Sequence, residues 1–264
     1  MTNINVTHIL NVFFDEISDR SGKMLENFRH NERAFARSLL PNQTEVKTKD
    51  VLQAGVALKA TPSSLELHPF VYRQVCRNGT ILGQSTQSHK LGQVGDSCRV
   101  EVDGKVGEVI AATEVEGWFR DAVGACCQPE AFYDGTQKFL TSLHWHFHNK
   151  VVVEKALAAS LTSENFPAHK QHFEEIMREY LNHDEPTLFR LVNAVTAVAR
   201  DLPDPEQKWK LECFGGELAM NPPSLPVLET DHGALGRLTK AERKRTPRFV
   251  VQQNTTQRTE RTSS

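Results

Sequence analysis

The stretch VLQAGVALKATPSSLELHPFVYRQVCRNGTI, residues 51–81, decides the fold class. Its first ten residues include the β-branched Val51 and Val56 and the small Ala54, Gly55, Ala57 and Ala60 of a half-buried strand. Thr61, Pro62, Ser63 and Ser64 read as a turn, and LELHPFVYRQVC alternates on either side of Pro69. Asn78-Gly79 is the strongest short turn signal in the chain, because a tight hairpin wants positive φ at both central residues. ILG then begins another short strand. Residues 45–82 therefore read as a small antiparallel β meander.

The flanks read as helix. Upstream, Leu10, Phe13, Phe14 and Ile17 recur at three- and four-residue spacing. A second helix is expected from Lys23 to Leu39, through Met24, Leu25, Phe28, Ala34 and Phe35, with Pro41 ending it. Downstream, from Val106, one stripe holds Val109, Ala112, Val115, Phe119, Ala122 and Val123, and Pro129 closes it. Further helical patterns cover 134–160, 164–182 and 186–200. Gly215-Gly216 looks like the left-handed cap of a last helical piece. N-terminal helices, a small meander and a mainly helical C-terminal half make the class α+β, not alternating βαβ.

Composition separates a body from a tail. Residues 237–264 carry eight Lys and Arg against two Glu, a net +6, whereas 1–236 carries −8. Beyond Phe249, Val250 and Val251 the tail has almost no apolar residue, so it is expected to be disordered. The expected organisation is one α+β domain over 1–236 and a disordered basic tail over 237–264. The start of the sequence lacks a basic, apolar leader, and no apolar run is long enough for a membrane helix. The expected location is the cytoplasm, without a membrane partner. Five scattered cysteines then read as reduced thiols, not a disulfide framework.

Four groups of residues could carry chemistry. Arg73, Cys76, Arg77, Asn78 and Gly79 read either as a strand entering a tight turn or as phosphate contacts, Arg73 and Arg77, beside exposed backbone amides. Cys76 has no base near it in sequence to make it a nucleophile. His144, His146 and His148 alternate, but their flanks fit a helix, on which only His144 and His148 share a face. That pair lacks an obvious third ligand, so no metal and no cofactor is expected. Asn193 and Thr196 are polar neighbours in an apolar helix, suited to hydrogen bonds to another element or to each other that fix its docking, with a ligand-facing Asn193 as the alternative. Arg243, Lys244, Arg245 and Arg248 form a basic cluster in the tail, either solvated or in contact with phosphates. No nucleotide-loop, zinc-protease or nucleophile-elbow pattern occurs, which excludes the commonest motif-defined enzymes but not enzymes in general.

Two stretches carry a family resemblance: residues 55–81, with Arg73, Val75, Cys76, Asn78 and Gly79, and residues 187–218, with Asn193, Ala194, Val195 and Thr196. Together they resemble the domain-of-unknown-function 932 family of phages, prophages, plasmids and bacterial chromosomes. About sixty positions match directly. The family's longer N-terminal β-rich part is short or missing here, and its Asn-Ser-Glu turn reads Thr-Pro-Ser-Ser. The resemblance implies an association with mobile DNA and lends no reaction. The expected function is nucleic-acid binding, to DNA or RNA, without catalysis. The alternative is a protein-interaction or assembly module whose tail keeps it in solution.

Overall fold

The computed structural model describes residues 4–47, 49–83, 85, 87–94, 97–102, 104–147, 150–161, 172–182, 186–222 and 228–230. The order is α1 (Val6–Asp19), β1 (Lys23–His30), β2 (Arg33–Leu39), β3 (Gln43–Lys47), β4 (Asp50–Thr61), β5 (Ser64–Arg73), β6 (Asn78–Ile81), β7 (His89–Val94), β8 (Ser97–Val102) and β9 (Lys105–Ala111). Then come α2 (Val115–Cys126), α3 (Pro129–Thr141), β10 (Trp145–Phe147), α4 (Lys150–Leu161), α5 (Phe173–Leu181), α6 (Leu188–Asp201), α7 (Pro205–Met220) and β11 (Leu228–Thr230). The class is α+β. No helix among the described residues is long and apolar enough to cross a membrane. The tail over 237–264, with Arg243, Lys244, Arg245 and Arg248, lies outside the described residues.

The expected meander is the spine of a larger sheet. Nine antiparallel strands follow the order β1-β2-β4-β5-β7-β8-β9, with β3 beside β4 and β6 beside β5. β4 and β5 pair without a break from Leu52↔Arg73 to Thr61↔Ser64. Each of these long strands serves two neighbours along its length: β4 holds β2 and β3, and β5 holds β6 and β7. Strand alternation separates the faces. Leu52, Ala54, Val56, Leu58, Leu65, Leu67 and Leu91 pack in one apolar cluster with Phe13 of α1 and Phe119 of α2. Phe35, Leu39, Ala57, Phe70 and Ile81 face the other way, onto Trp209 of α7.

Several helix expectations are corrected. The segment expected as a helix over 23–39 is the β1–β2 hairpin. Its apolar residues fit a helical stripe, but they also alternate: Phe35 and Leu39 face α7, while Ala34 and Ala36 face α1 and its neighbours. Its turn carries left-handed φ at both central residues, Asn31 (46°) and Glu32 (59°). The two-residue primed hairpin turn expected at Asn78-Gly79 is found here instead. Residues 105–111 form strand β9 after a turn at Gly104, and the helical stripe starts only at Val115. The stretch 134–160 is interrupted by a 3-10 turn and β10. Gly215 and Gly216 lie inside α7, not at its end. A Cβ on Gly216 would overlap the Ile81 carbonyl, so this glycine permits close approach of α7 to β6.

α7 begins at Pro205, capped by Asp204, whose carboxylate accepts from the amides of Glu206 and Gln207. The helix lies over charged positions of the sheet as well as apolar ones. Arg37 Nε donates to Glu212 Oε2 at 2.7 Å, and both residues are about 2% exposed. Arg37 Nη2 reaches the same oxygen at 2.6 Å, off the hydrogen-bond axis. Arg37 Nη1 donates to Glu26 of β1 at 3.1 Å, and Lys208 Nζ also binds Glu26. Further along, Lys59 Nζ donates to Glu206 at 2.9 Å and lies 3.4 Å from Glu66. Trp209 packs between Phe35, His68 and the Arg37 guanidinium.

Burial pushes the Glu212 carboxyl up to about 7, although Arg37 and Lys208 pull it down. Burial likewise pushes the His68 imidazole below its usual range, against the pull of Glu66. Burial also works to raise Glu66, but His68, Lys59 and Lys90 outweigh it and hold that carboxyl at about 2.

Two outcomes follow. Gly216→Ala should lower stability by about 1–3 kcal/mol through overpacking, read as a shift in the urea midpoint. Gly92→Ala, which meets nothing within 4 Å, should shift it by no more than about 0.5 kcal/mol. The second outcome concerns acid. The folded Glu66 pKa lies below its unfolded value, so its stabilisation is present above pH 4.5 and is lost as pH falls toward about 2. His68, also depressed, loses stabilisation below pH 6.5, whereas Glu212, raised, loses it as pH rises from 4.5 toward about 7. The Glu212 contribution is complete by pH 4.5, and comparison with Glu66→Gln separates the acid loss that belongs to Glu66. Urea midpoints for the parent chain should fall between pH 4.5 and 3 by on the order of 1–2 kcal/mol more than those for Glu66→Gln.

Candidate nucleic-acid interface

Arg73 ends β5, residues 74–77 make a four-residue turn, and Asn78 opens β6 opposite Arg73. The positive φ falls on Arg77 (54°), not on Asn78 or Gly79, which belong to the strand. This corrects the hairpin expected at Asn78-Gly79. Asn78 is instead 3% exposed and bonded across to α6. Its Nδ2 donates to the Asn193 carbonyl at 3.3 Å, and its Oδ1 accepts from Arg200 Nη1 at 3.3 Å. Arg200 Nη1 also donates to the Cys76 carbonyl at 2.8 Å.

The turn thus lies on α6, which Thr187 caps by accepting from the Arg190 amide. Asn193 and Thr196 are buried in α6 as expected, but among the described residues neither side chain hydrogen-bonds to another element. Asn193 Nδ2 donates to the Phe189 carbonyl, and Thr196 Oγ1 to the carbonyls of Val192 and Asn193. Each closes on its own helix, which frees no group for docking. Asn78 and Arg200 make the tie instead. In sequence Asn78 reads as turn chemistry, and Arg200, one cation in a last helical turn, gives no signal.

Four arginines gather around this turn. Arg73 binds Asp50 through two nitrogens, Nε to Oδ1 at 2.8 Å and Nη2 to Oδ2 at 2.6 Å, and stacks 5.0 Å over the Phe189 ring. Arg190 donates from Nη2 to the Glu179 carbonyl at 2.9 Å, with the Glu179 carboxylate 3.6 Å away. Among the described residues its buried Nε has no hydrogen-bond partner, and neither has the Tyr180 hydroxyl. Burial, helped by the nearby Arg73 charge, loosens the Arg190 proton, and Glu179 opposes this. Burial pushes the Tyr180 phenol up to about 12 against the Arg190 charge. Arg200 pairs with Asp201 and keeps 41% of its side chain exposed. Arg77 is exposed at the tip and has no ion-pair partner among the described residues.

The site is therefore a rim of two accessible cations, Arg77 and Arg200, over two interior ones. Three carboxylates balance three of the four, so its excess charge is one. Cys76, half-buried in the turn, lies within reach of the charges of Arg190 and Arg200. His89 takes no part. It is buried on β7 against Trp118. The histidine reading does not gather a metal site. His144 is exposed in the 3-10 turn, His146 is exposed on β10, and His148 lies outside the described residues. Among the described residues no three metal-capable side chains meet.

No family model, curated protein or solved structure matches the chain.

Asn78→Ala removes two hydrogen bonds, a buried one to the Asn193 carbonyl and a part-buried one from Arg200. It should lower stability by about 1–3 kcal/mol, read from urea denaturation. An unchanged midpoint would show that the turn does not depend on this tie.

Proposed function

We propose that the chain is a nucleic-acid-binding protein without chemistry of its own, which contacts the phosphate backbone through the arginine rim of the β5–β6 turn. One observation carries the reading. The fold brings Arg77 at the turn and Arg200 of α6 to the same exposed rim, and only one of them is paired. Guanidinium groups suit phosphate because their planar fork binds its oxygens directly. The basic residues Arg243, Lys244, Arg245 and Arg248 would add sequence-independent attraction, which the body, at −8, lacks. Resemblance to a family carried by phages and plasmids points the same way.

The rim is small, so weak binding that depends on salt is expected. The test is a fluorescence titration with a short single strand at two salt concentrations. Arg77→Glu should weaken binding severalfold and reduce the salt slope by about 0.7 for each phosphate no longer neutralised. Its melting temperature should hold, because Arg77 is exposed. Equal binding by parent and variant, or no binding by the parent at low salt, would overturn the proposal.

A further inference from the structure

α7 covers one face of the sheet over β2, β4, β5 and β6. The same face of β7, β8 and β9 has no such cover among the described residues. Register places its side chains: Glu66 stands opposite Lys90, Lys90 opposite Glu101, Gly92 opposite Arg99, Arg99 opposite Val109, and Glu101 opposite Val106. The reverse face of this wing is ordinary core, with Leu91, Cys98 and Val100 packed toward α1 and α2. On the open side, Val94, Val106 and Val109 are 56%, 66% and 62% exposed. A depression of about 320 Å³ lies beside Val94 over β5, β7 and β8, lined also by Glu66, Lys90, Gly92, Arg99 and Glu101.

We infer that this wing is a self-association surface and that a second copy of this chain packs on it, face to face. The charges select that occupant. Among the described residues neither Arg99 nor Glu101 has an ion-pair partner, and both stand on one strand of one face. A two-fold axis through the face brings Arg99 of one copy to Glu101 of the other, and the reverse, which is the self-complementarity that an isologous contact requires. The three valines supply the apolar anchors. Pairing through the outermost strands of the sheet, β1 and β9, is disfavoured, because each carries a bulge. β1 has an extra residue between Met24 and Glu26, and β9 has one between Val106 and Val109. The faces of two sheets can still stack.

The experiment is sedimentation equilibrium of the full chain from low to high micromolar concentration. The parent should show a reversible monomer–dimer equilibrium. Val106→Glu combined with Val109→Glu should weaken it by about tenfold or more, with the melting temperature held because both side chains are exposed. Arg99→Glu alone should also weaken it, and Arg99→Glu with Glu101→Arg should restore it. Four results would overturn the inference: a parent monomeric at every concentration, a dimer indifferent to the valine changes, a dimer indifferent to Arg99→Glu, or a double charge reversal that recovers nothing. The last would remove the reason for choosing a second copy, and would leave the face to an unrelated protein or to the chain's own basic tail.

Discussion

The buried pair between Arg37 and Glu212 constrains the rest of the structure. A guanidinium does not give up its proton in a protein interior, so Arg37 needs a carboxylate wherever the fold puts it. Glu212 meets that need only when α7 lies at one angle across β2. The same angle puts Trp209 on Phe35 and His68, brings Lys208 to Glu26, and sets Gly216 against the Ile81 carbonyl. A pair of this kind adds little net stability, because desolvation consumes most of its attraction. Its effect is to make misplacement costly. Where α7 settles fixes which part of the sheet is sealed and which stays open.

The two polar junctions on the two sides of β5 are built differently. Under α7 the charges share partners in a network centred on the buried Arg37–Glu212 pair, which no ligand reaches unless the helix moves. At the β5–β6 turn the interior arginines, Arg73 and Arg190, are held by Asp50 and Glu179, while Arg77 and Arg200 reach solvent. The first arrangement suits structure and the second suits contact with an anion. Arg73 illustrates why residue type alone does not distinguish them. Its sequence context makes it a candidate phosphate contact, yet its two bonds to Asp50 and its place on the Phe189 ring make it a brace for the turn.

The chain declares its strands where alternation and small residues coincide, as in 51–73, and its helices where a buried stripe is uninterrupted, as in α1 and α6. It conceals the β1–β2 hairpin because a segment with Met24, Leu25, Phe28, Ala34, Phe35 and Leu39 satisfies both periods, and only long-range pairing of β2 with β4 decides between them. Asn31-Glu32 is easy to pass over as a primed turn because Glu rarely takes left-handed φ. Asn78-Gly79 misleads for the opposite reason: its composition fits a turn, but α6 claims the Asn78 amide. The exposed valines of β9 counterfeit a helical stripe with Ala112 and Val115. The arginine rim is only half legible, since Arg77 is a candidate in sequence but its partnership with Arg200 depends on where the turn lands.

The late position of α7 bears on how the chain is made. Sheet contacts between neighbouring strands are local and can form while synthesis continues, but residues 205–220 leave the ribosome long after residues 35–81. During that interval Phe35, Leu39, Phe70 and Ile81 have nothing to bury against, and Arg37 stays hydrated. The nascent sheet is therefore a half-covered intermediate of the sort that chaperones bind. A ribosome that stalls before the codons for Glu212 and Gly216 would leave a product with most of its strands but without the helix that closes them, and proteolysis should clear such a product far faster than the finished chain.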